Sequence, residues 1–126
     1  TRLALADTRA ASAEQLARRL REHYPALDAQ AAPNDPAGHD LVVNATPLGM
    51  NTTDPLPLDI TRLSPQTFVG EVVMAQKMTP LLQAAERLGC KYQVGTDMLF
   101  EQIPPYLEFF GLPVATAAQL RELALV

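Results

Sequence analysis

Asn44 and Thr46 end an apolar run, and the residues after them decide what they can do. The stretch reads Leu41-Val42-Val43-Asn44-Ala45-Thr46-Pro47-Leu48-Gly49-Met50. Three apolar residues without alternation fit a parallel strand buried on both faces. Pro47 keeps a helix from starting at Thr46, and Gly49 permits a backbone turn that other residues resist. A buried strand that stops in a small polar loop is how an open α/β sheet builds a ligand crevice, at the carboxyl ends of its strands. The plain alternative is a strand exit with a proline turn. Other chemistry-bearing residues are sparse. Cys90 is the single cysteine; it cannot form an internal disulfide, has no histidine nearby in sequence, and reads as structural. His23 and His39 share no metal-ligand spacing with each other or with Cys90, and no metal is expected.

The elements that must carry this loop alternate along the chain. Strands are predicted at about 3–6, 27–32, 41–45, 67–73 and 91–94. Asp7 ends the first. Ser12 with Gln15 reads as a capping box opening a helix whose buried face is Ala13, Leu16, Ala17, Leu20 and Tyr24, and Pro25 ends it. Arg18, Arg19 and Arg21 form its solvated face. Prolines break the chain between Pro47 and Pro65, leaving room for one helical turn near Asp59 to Leu63. Thr79 is a good N-cap and Pro80 a good first residue for a helix burying Leu81, Leu82, Ala85 and Leu88 and stopping at Gly89. Gly95-Thr96 leads into a helix that Pro104 and Pro105 must kink or break. Thr116 with Gln119 is a second capping box. Alternating strands and helices mean parallel βαβ units. The expected fold is therefore α/β, a Rossmann-like doubly wound parallel sheet.

The usual glycine-rich phosphate loop, GxGxxG, is missing, as is the strand that would precede it. The chain reads as starting at the second strand. Leu3–Ala6 and Leu41–Ala45 would then flank a gap where the first strand belongs. The N-terminus lacks both an initiator methionine and a signal-peptide core, so the polypeptide is expected to begin further upstream.

Composition narrows the function classes. The 126 residues fit one domain, and a hydrophobic share of 48% supports a packed core. A net charge of −4 argues against nucleic-acid and anionic-membrane partners. No apolar run approaches the ~20 residues of a membrane span. The lone cysteine fits a reducing, cytoplasmic setting.

Several segments together resemble the C-terminal, dinucleotide-binding part of the shikimate and quinate dehydrogenases. Residues 40–50, DLVVNATPLGM, are similar to that family's D-[LI]-[IV]-[IV]-N-A-T-x-x-G-M stretch. Residues 69–90, VGEVVMAQKMTPLLQAAERLGC, resemble its V-x-D-x-V-Y-x-P-x-x-T-P-L-L-x-x-A-x-x-x-G segment, and residues 95–102, GTDMLFEQ, its G-L-x-M-L-x-x-Q signature. Residues 6–20, ADTRAASAEQLARRL, fill the place of its second strand and helix.

The resemblance implies an oxidoreductase moving hydride between NAD or NADP and a small cyclic hydroxy acid such as shikimate or quinate. The family's catalytic lysine and aspartate lie in an N-terminal substrate domain that these residues do not include. No catalytic residue is therefore assigned here, and the piece alone is expected to be inactive. Asn44, Thr46 and Gly49 carry over as the floor beside the nicotinamide ribose, with Gly49 allowing close approach of backbone to ligand, and Gly95 and Met98 as cofactor-side residues of the third helix. Gln102 carries over as the substrate residue. It shares a helix face with Met98, and a carboxamide both donates to and accepts from a hydroxyl. Asp7 would accept from the adenosine ribose hydroxyls and repel a 2′-phosphate, so NAD is favoured over NADP. The family's N-R-T motif is replaced by Asp7-Thr8-Arg9, which keeps a phosphate contact through Arg9 open. Met74 stands in place of a tyrosine, Gln76 of a proline, Glu71 of an aspartate and Asp97 of a small residue. Two other readings stand: a non-catalytic nucleotide-binding module, and a different enzyme sharing only the architecture. The oligomeric state, a homodimer included, stays open.

Overall fold

The computed structural model describes residues 1–124. All five strands run parallel within two separate ladders, β1–β2 and β3–β4–β5, and the chain divides into two compact units, Thr1–Pro36 and Ala37–Val126.

The first unit is β1 (Arg2–Leu5), α1 (Ala10–His23) and β2 (Asp28–Ala31), with Leu3 in register with Ala29. The helix starts two residues before Ser12. Asp7 Oδ1 accepts the Arg9 amide at 2.7 Å, which turns the chain into the helix early and leaves no side-chain cap. The predicted capping box at Ser12 and Gln15 is thus not used. Ala13 and Ala17 are buried, but Leu16 and Tyr24 are exposed. A two-stranded ladder is too narrow to cover the whole apolar stripe of α1.

The second unit holds β3 (Leu41–Asn44), a 3₁₀ turn (Ile60–Arg62), β4 (Phe68–Glu71), α2 (Pro80–Arg87), β5 (Lys91–Gln93), α3 (Gly95–Phe109) and α4 (Ala117–Leu123). Its core is Leu63, Val69, Leu81, Leu82, Ala85 and Cys90. Leu81 and Leu82 are fully enclosed, each contributing about 1.5–3 kcal/mol by leaving water. Thr79 caps α2 by accepting from the Leu82 amide at 3.3 Å, and Pro80 follows it. Thr116 and Gln119 form both halves of their capping box on α4.

Three expectations need correction here. The strand β3 is not buried on both faces: Leu41 and Val43 are 57% and 51% exposed. It is the edge of its ladder, and only the face carrying Val42 and Asn44 is covered within the unit. Leu88 is not core; it is the C-cap of α2 and 38% exposed. Pro104 and Pro105 do not break α3, which runs through both. Missing N–H groups there remove the helical partners of the Phe100 and Glu101 carbonyls, and Glu101 is exposed, so water can serve it.

Candidate functional site

The carboxyl ends of β3 and β4 are tied by one buried side-chain knot. Asn44 Nδ2 donates to Glu71 Oε1 at 3.0 Å and to the Leu48 carbonyl at 2.9 Å. Asn44 Oδ1 accepts from the Thr46 amide at 3.1 Å and the Thr46 hydroxyl at 2.7 Å. The Thr46 hydroxyl in turn accepts from the Leu48 amide at 3.1 Å. Every polar atom of the Asn44 carboxamide is therefore spent inside the protein, and the residue is only 2% exposed. The exposed surface of the loop is Ala45, Thr46 and Pro47.

Glu71 is the acceptor at the centre. Besides Asn44, its carboxylate takes the amides of Val72 and Val73 at 2.9 and 3.1 Å and the Thr79 hydroxyl at 2.9 Å. Among the described residues it has no ion pair; backbone and neutral side-chain donors satisfy it instead. Buried acceptors of this kind are tolerated when every lone pair is used. The knot joins β3, β4 and the N-cap of α2.

Gly49 owes its identity to its backbone angle and Gly95 to a protein contact. Gly49 has φ +104°, a region that disfavours side chains, and a Cβ there would lie 3.4 Å from Thr79 Cβ. What approaches Gly49 closely is thus Thr79. Gly95 opens α3, and its Cβ would lie 2.2 Å from the Val73 carbonyl oxygen. The start of α3 is in this way pressed onto the same β4 loop that Glu71 holds.

Met98 and Gln102 lie one turn apart on α3, and Gln102 Oε1 accepts from the Tyr106 hydroxyl at 3.4 Å. Gln102 is exposed. A recess of ≈ 280 Å³ lies beside the start of α3, lined by Lys77, Val94, Thr96, Asp97, Phe100 and Arg121. Arg121 from α4 bonds Asp97 at 3.3 Å and Glu101 at 3.0 Å, and its guanidinium lies 5.5 Å from the Phe100 ring centre. The acid at position 97, unusual against the resembling family, has its partner there. In the first unit, Asp7 and Arg9 stand together after β1, with Arg9 Nε 4.0 Å from Asp7 Oδ1 and both side chains open to solvent.

The structure thus gathers Asn44, Thr46, Gly49 and Gly95 around one strand-end platform, with Met98 and Gln102 on the helix that starts from it. Sequence reading gave no role to Asp54, whose carboxylate accepts the amides of Gly49 at 3.0 Å and Asn51 at 2.9 Å. The Asn51 amide, with help from the Asn51 side chain and Gly49, holds its pKa below the ordinary 3.8. Its signal was the spacing Asn51-x-x-Asp54 after a glycine. Among the described residues no group of three metal-ligating side chains converges, and no helix is long and apolar enough to cross a membrane.

No protein-family model matches the chain. A shikimate dehydrogenase (NADP(+)) from Jannaschia sp. (strain CCS1) is 38% identical over 104 residues, covering 82% of this chain and 34% of that protein. A quinate/shikimate dehydrogenase (NAD(+)) from Corynebacterium efficiens is 36% identical over 116 residues, covering 87% of this chain and 41% of that protein. Among solved structures, the quinate dehydrogenase from Corynebacterium glutamicum in complex with NAD matches with a TM-score of 0.81 at 32% identity, over 96% of this chain and 45% of that one. The chain therefore spans less than half the length of the relatives it matches.

Proposed function

We propose that this chain, homologous to part of the shikimate and quinate dehydrogenases, is the dinucleotide-binding portion of an oxidoreductase of that kind. The carrying observation is the strand-end platform: Asn44 and Gly49 are locked from below while Ala45, Thr46 and Pro47 face outward. In an open parallel α/β fold that is where a ligand lies. Small outward side chains let a flat ring and its ribose rest on the loop without a steric barrier.

The roles divide as follows. Thr46 and its neighbours meet the nicotinamide ribose; Asn44 and Gly49 fix their height. Gly95 lets α3 start against the platform, so that its first-turn amides and Met98 border the cofactor. Asp7, on the first unit, accepts the adenosine ribose hydroxyls and disfavours a 2′-phosphate, which favours NAD over NADP; Arg9 supplies charge beside it. Gln102 bonds a hydroxyl of shikimate, quinate or a related cyclic hydroxy acid. The bound nicotinamide supplies the hydride-accepting carbon. No residue of this chain is assigned the proton transfer, which falls to a further substrate domain.

Gln102→Ala in the full-length polypeptide tests the assignment. A lost hydrogen bond to substrate is worth about 0.5–1.5 kcal/mol, so KM for the acid should rise about tenfold or less while dinucleotide affinity holds. Equal losses for acid and dinucleotide would show a general disturbance of α3 and remove Gln102 from the substrate site.

A further inference from the structure

Gly49 is held at both of its peptide groups by side chains that the reading above leaves without a role. Its N–H donates to Asp54 Oδ2 at 3.0 Å, and its carbonyl accepts from Gln76 Nε2. Asp54 belongs to the loop after β3, and Gln76 to the loop between β4 and α2. The same residue is backed by Thr79, the N-cap of α2, with a Cβ-to-methyl distance that would be 3.5 Å. Its φ of +104° is one that an ordinary residue resists. Two separate stretches of chain, the loop after β3 and the segment that enters α2, thus meet at one backbone unit at the base of the platform.

We propose that Gln76 and Asp54 are positioning residues for the dinucleotide. They set the height and tilt of the Ala45–Pro47 rim through Gly49, and neither touches the ligand. The proposal rests on the reading of that rim as the cofactor platform. The chemistry at each end is specific. A carbonyl needs a donor, and the Gln76 amide supplies one. An amide needs an acceptor, and Asp54 serves the Gly49 and Asn51 amides at once. A loop held this way is already ordered before the ligand arrives, so binding does not have to order it. Position 76 is also where this chain departs from the proline of the resembling family. Proline has no side-chain donor, so the Gln76 bond is a feature of this sequence.

The test uses the full-length polypeptide with Gln76→Ala, with Gln76→Glu, which is nearly isosteric but cannot donate when ionised, and with Asp54→Ala. KM for NAD and kcat are measured, together with amide hydrogen exchange of the segment 47–54. The proposal predicts that Gln76→Ala and Asp54→Ala raise KM for NAD about threefold to tenfold with kcat nearly unchanged. Gln76→Glu should do at least as much as Gln76→Ala. Exchange in segment 47–54 should quicken in all three without added ligand. Wild-type protein that binds NAD alongside variants with unchanged KM would overturn the proposal and leave the proposed function standing. Wild-type protein that binds neither NAD nor NADP would overturn the proposed function itself, and the positioning role with it, before any substitution is made.

Discussion

Asn44 and Glu71 are register partners at the carboxyl ends of β3 and β4, and the amide of one donates to the carboxylate of the other at 3.0 Å. This one contact converts a strand end into a platform. It orients the Asn44 carboxamide so that its oxygen gathers Thr46, and it anchors the platform to the α2 cap through Thr79.

Removing the acceptor should be costly. Glu71→Ala strands the Val73 amide and the Thr79 hydroxyl in a buried site and leaves Asn44 Nδ2 with the Leu48 carbonyl alone, while the Val72 amide keeps the Asn44 carbonyl at 3.2 Å. One unsatisfied buried group costs about 1–3 kcal/mol, and partial relaxation keeps the sum near 3 kcal/mol. Glu71→Gln retains one acceptor oxygen and should cost less than half as much. Denaturant unfolding of the full-length polypeptide measures both. A Glu71→Ala loss below about 1 kcal/mol would contradict the account of the knot.

Gly95→Ala sets two effects against each other. Alanine is the better helix former by about 1 kcal/mol. A Cβ at 2.2 Å from the Val73 carbonyl oxygen, however, meets backbone that is itself held by the Val73 amide bond to Glu71. The clash should win, with a net loss of about 1–3 kcal/mol and a displaced first turn of α3. A neutral or stabilising Gly95→Ala would show that α3 can lift off the β4 loop freely.

Asp54 should carry a pH signature. Its carboxyl is held below 3.8 chiefly by the Asn51 amide. A depressed pKa means the native loop prefers the ionised form. The contribution is complete well above 3.8, and it fades as pH falls through 3.8 and on through the lower folded value. Carbon-detected NMR titration should place the Asp54 midpoint below 3.8, whereas a midpoint at or above it would contradict the loop geometry.

Much of this was legible in the sequence, for identifiable reasons. All five strands and the Thr79 and Thr116 caps are local signals that the structure keeps, whereas the capping box at Ser12 and Gln15 is a local signal that it does not use. The α1 start was misread because the Asp7 turn competes with Ser12 for the helix entry, and side-chain pairing with a backbone amide two residues on leaves little trace in a pattern. Burial of Leu41, Val43 and Leu16 was overestimated because apolar runs report what a residue can pack against, not whether a neighbour is there. Asn44 and Thr46 stood out by type and position. The Asn44–Glu71 bond and the Gln76 clamp on Gly49 each join residues 27 positions apart, and no spacing rule reaches that far.

The most direct measurement is nucleotide reduction by the full-length polypeptide supplied with shikimate or quinate. The account predicts that reduced nicotinamide accumulates with at least one of the two acids, and that kcat/KM is higher with NAD than with NADP because Asp7 stands at the end of β1. A higher kcat/KM with NADP would overturn the role given to Asp7. No reduction of either dinucleotide with either acid, by protein shown to be folded, would contradict the central claim.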